Sequence, residues 1–224
     1  MTKFVKAGLA LCLVSLALAS PILARNRSDF EPREPSLRQS GHWEWTWDGE
    51  DGLAVSVPAT VRYVADGPAR IVINGPDEML EQLRVGQGQI RLCDSCRPHG
   101  RLSITVSGVA LRNVALSGGG GEILLGRLNQ NRLNLAIAGA GAVSAAGRID
   151  RLELSISGSG NVRMAEASVR RADIHIAGSG DVSVTPRDEA NVRIAGSGNI
   201  RMAARPARVN QFIVGSGGIQ IAEN

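Results

Sequence analysis

Apolar and polar residues alternate along most of the second half of the chain, and the alternation itself repeats. Ile137, Ile156, Ile176, Ile194 and Ile213 fall at one phase of the repeat. Val143, Val162, Val182, Ile200 and Ile219 fall at a second, and Ala145, Met164, Val184, Met202 and Ile221 at a third. Ser144, Arg163, Ser183, Arg201 and Gln220 sit between the second and third. Residues two apart in a strand share a face, so the apolar columns point inward and the polar column outward. Between the phases lies Ile-x-Gly-x-Gly, with glycine pairs Gly139/Gly141, Gly158/Gly160, Gly178/Gly180, Gly196/Gly198 and Gly215/Gly217. Successive first glycines are 19, 20, 18 and 19 residues apart, and Gly118 begins a degenerate earlier copy. A period near twenty with strand-like flanks predicts an all-β parallel solenoid in which one repeat is one coil. The pattern predicts about six coils, stacked at roughly 4.8 Å.

The glycine pairs read as structural turn residues. A corner in a narrow coil needs positive φ, which glycine adopts freely. Asn161, Asp181 and Asn199 directly follow three of the pairs, and Asn and Asp tolerate such conformations next best. Gly-Ser-Gly-Asn is therefore expected to be corner chemistry and not a ligand loop.

The first half is strand-rich without the repeat. His42 to Trp47 alternates strictly and places Trp43, Trp45 and Trp47 on one face of a strand. Residues 48–52 read as a turn. Strands follow at 53–57, 60–63, 69–73, 89–92 and 102–106, with a short helix at 77–83 that Asp77 is placed to cap. Residues 25–40 mix arginine, acid, proline and serine with little to bury, and read as a disordered linker. The expected organisation is a leader at 1–24, that linker, a strand-rich N-terminal cap with first coils at 41–108, and the repeat solenoid at 109–224. Residues 41–224 form one domain.

The leader changes the charge balance. Lys3 and Lys6 precede an apolar run from Ala7 to Ala19, which matches a secretory signal peptide cleaved after Ala19 or Ala24. The run is shorter than the ~20 apolar residues of a membrane span, and Cys12 lies inside it behind Leu11, not after a small residue as lipidation would need. Those two lysines are the only ones, so the exported chain carries 23 arginines against 21 acids and a net charge near +2. With no basic block, nucleic acid is set aside as a partner. No later segment is apolar enough to span a bilayer, so the protein is expected to be exported, in the periplasm or at the cell surface. Aromatic residues make up only 3% of the chain against 27 glycines, which suits tight coils filled with Ile, Val, Leu and Met.

The stretch from Val106 to Gly121 (VSGVALRNVALSGGGG), the four Ile-x-Gly-Ser-Gly copies and the strand–helix–strand segment from Leu53 to Leu92 together resemble the head GIN domain family of auto-transporter adhesins. The resemblance covers roughly residues 50 to 224. It implies an exported right-handed β-helix with an adhesin-like role and no established catalytic residues. The Trp-x-Trp-x-Trp strand and the arginine-rich linker depart from it.

Candidate chemistry is sparse. Cys93 and Cys96, destined for an oxidising compartment, are expected to form a short disulfide. A thioredoxin-like βαβ setting is missing, and a zinc site would have only His99 to add. The tryptophan face is either a platform on which sugar rings stack or a cover for the open end of the solenoid. Arg163 and Arg201 are the outward residues best placed to meet a ligand. Pectin-cleaving β-helix enzymes need grouped outward carboxylates, whereas Glu153, Asp173 and Asp181 fall on different columns and His175 has no partner in register. No cofactor or metal is expected. The reading is a non-enzymatic adhesin-like scaffold for a glycan or an envelope protein. The alternatives are a β-helix carbohydrate-active enzyme and a structural or sensor domain joined to a protein partner.

Overall fold

The computed structural model describes residues 30–47 and 51–222. The leader read over residues 1–24, with Cys12, and most of the turn at 48–52 lie outside the described residues. Strand content is 70% and helix 3%, and the repeats wind into a parallel β-solenoid of about four turns, fewer than the six expected. Its coils are the continuous strand β9 (Asn113–Gly158), β10 (Asn161–Gly178), β11 (Asp181–Gly196), and the pairs β12 (Asn199–Met202) with β13 (Arg208–Gly215) and β14 (Gly218–Ile221). Ile156, Ile176, Ile194 and Ile213 are consecutive parallel partners. So are Val143, Val162, Val182, Ile200 and Ile219. Each buried Ile or Val removes enough apolar surface to contribute about 1.5–3 kcal/mol, and the columns merge into one continuous core.

The two glycines of each pair do different jobs. The first takes the left-handed conformation expected of a turn, at Gly139, Gly158, Gly178, Gly196 and Gly215, with φ of 132° at Gly178. The second does not: none of Gly141, Gly160, Gly180, Gly198 and Gly217 has positive φ, so the φ expected of them is corrected, while all but Gly141 do lie at breaks between strands. Their requirement is space. Gly141 lies inside the continuous strand β9, buried, and a Cβ there would collide with the Leu116 side chain. A Cβ on Gly180 would lie 2.5 Å from the Gly160 carbonyl oxygen and 2.9 Å from Ile156 Cγ2 of the coil before. Gly217 is half-buried and repeats that geometry at the last corner, where a Cβ would strike the Gly198 carbonyl oxygen and come within 2.9 Å of Ile194 Cγ2.

The Asn/Asp position after the pair also differs from the corner role expected of it. Positive φ among described non-glycine residues is confined to Gln87 and Arg127. Asn161, Asp181 and Asn199 instead link coils: Asp181 N donates to Asn161 Oδ1 (3.4 Å), and Asn199 Nδ2 to Asp181 Oδ1 (3.2 Å).

The first half closes one end of the stack. β4 (Ala59–Val64) and β8 (Leu102–Ser107) continue the parallel sheet beyond β9. The sheet then turns antiparallel through β5 (Arg70–Asn74), β2 (His42–Thr46) and β1 (Leu37–Gln39). β3 (Gly52–Val55) joins β9 to β7 (Gln89–Leu92), which forms a hairpin with β6 (Leu83–Gly86). Residues 30–40 of the supposed linker are part of this cap and not disordered. Leu37–Gln39 pairs with β2, and Arg33 N donates to Val85 O (2.7 Å). Hydrogen bonding to the edges of already-formed strands supplies what the composition lacks in burial. The helix α1 spans only Asp77–Glu81, with β6 in place of its expected last turn, and Pro76 is its N-cap. The Asp77 carboxylate accepts from Ser40 Oγ (2.7 Å) and Gly41 N (2.6 Å), so it ties the β1–β2 turn to the cap instead of capping the helix. At the opposite end Val209, Ile213, Ile219 and Ile221 are only partly buried, and Phe212 and Val214 are 64% and 57% exposed.

These contacts separate the glycines from the serine between them. Gly180→Ala is expected to lose about 1–3 kcal/mol, because the methyl group overpacks a backbone-lined gap. Ser179→Ala, at an exposed position, should stay within about 0.5 kcal/mol. Urea denaturation of the two variants checks the contrast.

Candidate functional site

The tryptophan strand does not present a binding platform. Trp45 and Trp47 are 4% and 6% exposed and belong to the main core, while Trp43 is partly buried against it. β2 pairs with β5, placing Trp43 opposite Ile73 and Trp45 opposite Ile71. Trp45 Nε1 donates to Arg33 O (3.0 Å), and the Arg38 guanidinium lies 4.5 Å above the Trp43 ring. The rings therefore fill the space between the last coil-like strands and the incoming chain. Alternation puts three indoles on one face, and that face turns inward.

Cys93 and Cys96 are joined by a disulfide with Cα atoms 5.2 Å apart. Cys93 N donates to Gln82 O, so the bridge fixes the loop leaving β7 beside the end of α1. His99 bonds through Nδ1 to the Arg97 carbonyl (2.8 Å). Among the described residues no three His, Cys, Asp or Glu side chains cluster as a metal site would require.

The outward columns are in register as the period requires. Ser144, Arg163, Ser183, Arg201 and Gln220 are successive partners, and Arg163 and Arg201 are exposed. Arg201 Nη2 reaches Gln220 Oε1 at 3.4 Å. The structure adds a second basic row that the repeat alignment left unnoticed: Arg151, Arg171, Glu189 and Arg208 are consecutive partners. Their column could have been found by counting back seven residues from each first glycine. Other polar columns are satisfied internally. Arg132 Nη2 contacts Glu153 at 2.7 Å, Arg170 lies between Asp150 (3.7 Å) and Asp188 (3.8 Å), and Asn191 donates to Asp173 (2.7 Å) and accepts from Asn210 (2.8 Å). Glu153 and Asp173 share a column after all, as register partners, but each is held by a neighbouring side chain.

Residues 51–206 match the family described as "putative auto-transporter adhesin, head GIN domain". The chain belongs to this family. The solved structure of a putative adhesin from Bacteroides fragilis is similar to this head GIN domain at a TM-score of 0.63 and 16% identity. That match covers 81% of this chain and 96% of the other. A putative lipid binding protein from Parabacteroides distasonis matches at 0.47 and 18% identity, over 81% and 96% of the two chains. A putative adhesin from Parabacteroides merdae matches at 0.48 and 16%, over 81% and 95%. At 16% identity the likeness to the Bacteroides fragilis structure is one of fold. No match was found among curated proteins. No helix among the described residues of the head GIN domain is long and apolar enough to cross a membrane.

Two histidines of the head GIN domain have displaced titrations of opposite sign. His42 bonds through Nε2 to Glu44 (2.9 Å) and through Nδ1 to Asn74 (2.7 Å), which together hold it above its ordinary value of 6.5. Burial, and then the Arg193 guanidinium 3.4 Å away, hold His175 below it. Because folding raises the His42 pKa, its contribution is complete below pH 6.5 and is lost as pH rises through the folded value. For His175 the contribution is complete above pH 6.5 and is lost as pH falls through the lower folded value. Proton NMR titration should place the His42 midpoint above and the His175 midpoint below 6.5. Trp45→Ala should cost about 3–5 kcal/mol as a core truncation, read by thermal melting, with Trp43→Ala costing less.

Proposed function

We propose that this head GIN domain is an exported, non-catalytic binding scaffold whose solenoid displays rows of arginine to an acidic envelope or surface glycan. The observation that carries the reading is the register itself. It aligns Arg163 with Arg201 across two coils, and Arg151 with Arg171 in adjacent ones. Two coils place Arg163 and Arg201 roughly 10 Å apart, so one rigid face offers a repeating polymer several weak contacts at once. Their affinities combine through effective concentration. Membership of an adhesin family supports the binding role, and the apolar leader supports export.

Residues 25–224, applied to a glycan array and to isolated envelope polysaccharides, test the proposal. Saturable binding to acidic polymers is expected, falling about tenfold in an Arg163→Gln/Arg201→Gln variant that melts like the parent. It should also weaken steeply as salt rises from about 0.05 to 0.5 M. Binding that survives both changes would remove the arginine rows from the site. Release of shorter oligosaccharides from the polymer would make the protein an enzyme instead. Export is checked separately, by the N-terminal sequence of the protein recovered outside the cytoplasm, expected to begin at Ser20 or Arg25.

A further inference from the structure

The β6–β7 hairpin of the cap contains a charge arrangement that works against its own pairing. Arg84 and Arg91 are directly opposed cross-strand partners. Like charges at such positions destabilise a sheet. Neither is balanced by an ion pair among the described residues: Arg84 donates to the carbonyls of Leu83 (2.8 Å) and Glu81 (3.3 Å), and the Arg91 guanidinium lies 4.0 Å from the Phe30 ring centre. Arg91 Nε is buried with no acceptor among the described residues. Buried donors without partners are rare.

Both arginines line one cleft of about 180 Å³. The incoming chain forms one wall through Phe30, held over the hairpin by the Arg33–Val85 hydrogen bond. The other wall is the end of β7 and the disulfide loop, through Leu92, Cys93 and Asp94. Among the described residues Asp94 is the one carboxylate lining the cleft, against two arginines.

We propose that this cleft binds an oxyanion, a carboxylate or sulfate, carried on a compact ring. The oxyanion bridges Arg84 and Arg91, removing their repulsion and supplying acceptors to unused guanidinium N–H groups. The ring lies against Phe30 and Leu92. The cleft is a cap feature, separate from the solenoid's arginine rows, and stands whether or not those rows bind a polymer.

The test uses residues 25–224 with glucuronate, inorganic sulfate and glucose as probes, followed by NMR shifts and thermal melting at constant ionic strength. Glucuronate should saturate in the millimolar range, as one small polar site allows, sulfate more weakly, and glucose not at all. Arg91→Gln and Arg84→Gln should each weaken glucuronate about tenfold, as loss of charge-assisted hydrogen bonds does, while Ser179→Ala, at an exposed corner of the solenoid, leaves it unchanged. Phe30→Ala, outside the core, should weaken glucuronate and spare sulfate. Equal saturation by sulfate and glucuronate would reduce the site to a free-anion site and overturn the ring contact. No saturation by either, or saturation unaltered in a folded Arg84→Gln/Arg91→Gln variant, would overturn the proposal entirely. If the double variant fails to fold, the single variants and Phe30→Ala decide.

Discussion

Strand-to-strand stacking at roughly 4.8 Å with no stagger between coils is the constraint from which the rest of this molecule follows. It forces every residue to live beside its counterpart one repeat away. Inside, that suits identical β-branched side chains, and the isoleucine and valine columns result. At the corner it leaves no room for a Cβ, so Gly160, Gly180, Gly198 and Gly217 each face the backbone of the glycine one coil before. Outside, it would bring like charges into contact. The Ser144, Arg163, Ser183, Arg201 column alternates charge with hydroxyl, so arginines meet only at two-coil distance. The Arg151–Arg171 pair departs from that alternation. The opposed Arg84 and Arg91 do so within the cap. A partner of opposite charge would relieve the repulsion in either place.

The two ends of the stack are treated differently. At the N-terminal end the sheet changes from parallel to antiparallel pairing, and Trp45 and Trp47 fill the interior beneath that change. The antiparallel strands run out to the short β1, so the core is covered before the sheet stops. At the other end the inward column ends in side chains that remain half covered, with Gln211 in register with Val192, a position that earlier coils fill with Leu or Ile.

Much of the solenoid was legible because two periodicities coincide: a period of two assigns faces, and a period near nineteen assigns neighbours. Whatever lacks a repeat was harder to read. The glycine pairs were visible, but a letter in a sequence does not say whether Gly141 or Gly217 is there for its φ or for its missing Cβ; only the neighbouring coil decides that. Alternation put Trp43, Trp45 and Trp47 on one face but could not say which way the face turned, since that depends on β5 lying alongside. Residues 30–40 carry little apolar surface, and their order comes from hydrogen bonds to strands distant in sequence. Asp77 looked like a helix cap from its local setting, and its partners, Ser40 and Gly41, lie 37 and 36 residues away. The hairpin cleft was hidden for the same reason, because Arg84, Arg91 and Phe30 meet only through pairing and a crossing chain. The second arginine row, by contrast, lay in plain view of the repeat and was missed because the aligned columns reached back no further than the isoleucine two residues before each first glycine.

The uneven repeat lengths show where this architecture admits novelty. Pairing of β10 with β11 slips between Met164 and Ser168 and again between Val169 and Arg171, while the glycine corner keeps its register. Extra residues in this pairing are thus absorbed at these two places, where Ala165, Glu166 and Arg170 are exposed. A loop of foreign sequence placed at either would leave the interior columns undisturbed. The solenoid is in this respect a frame with marked sites for diversification.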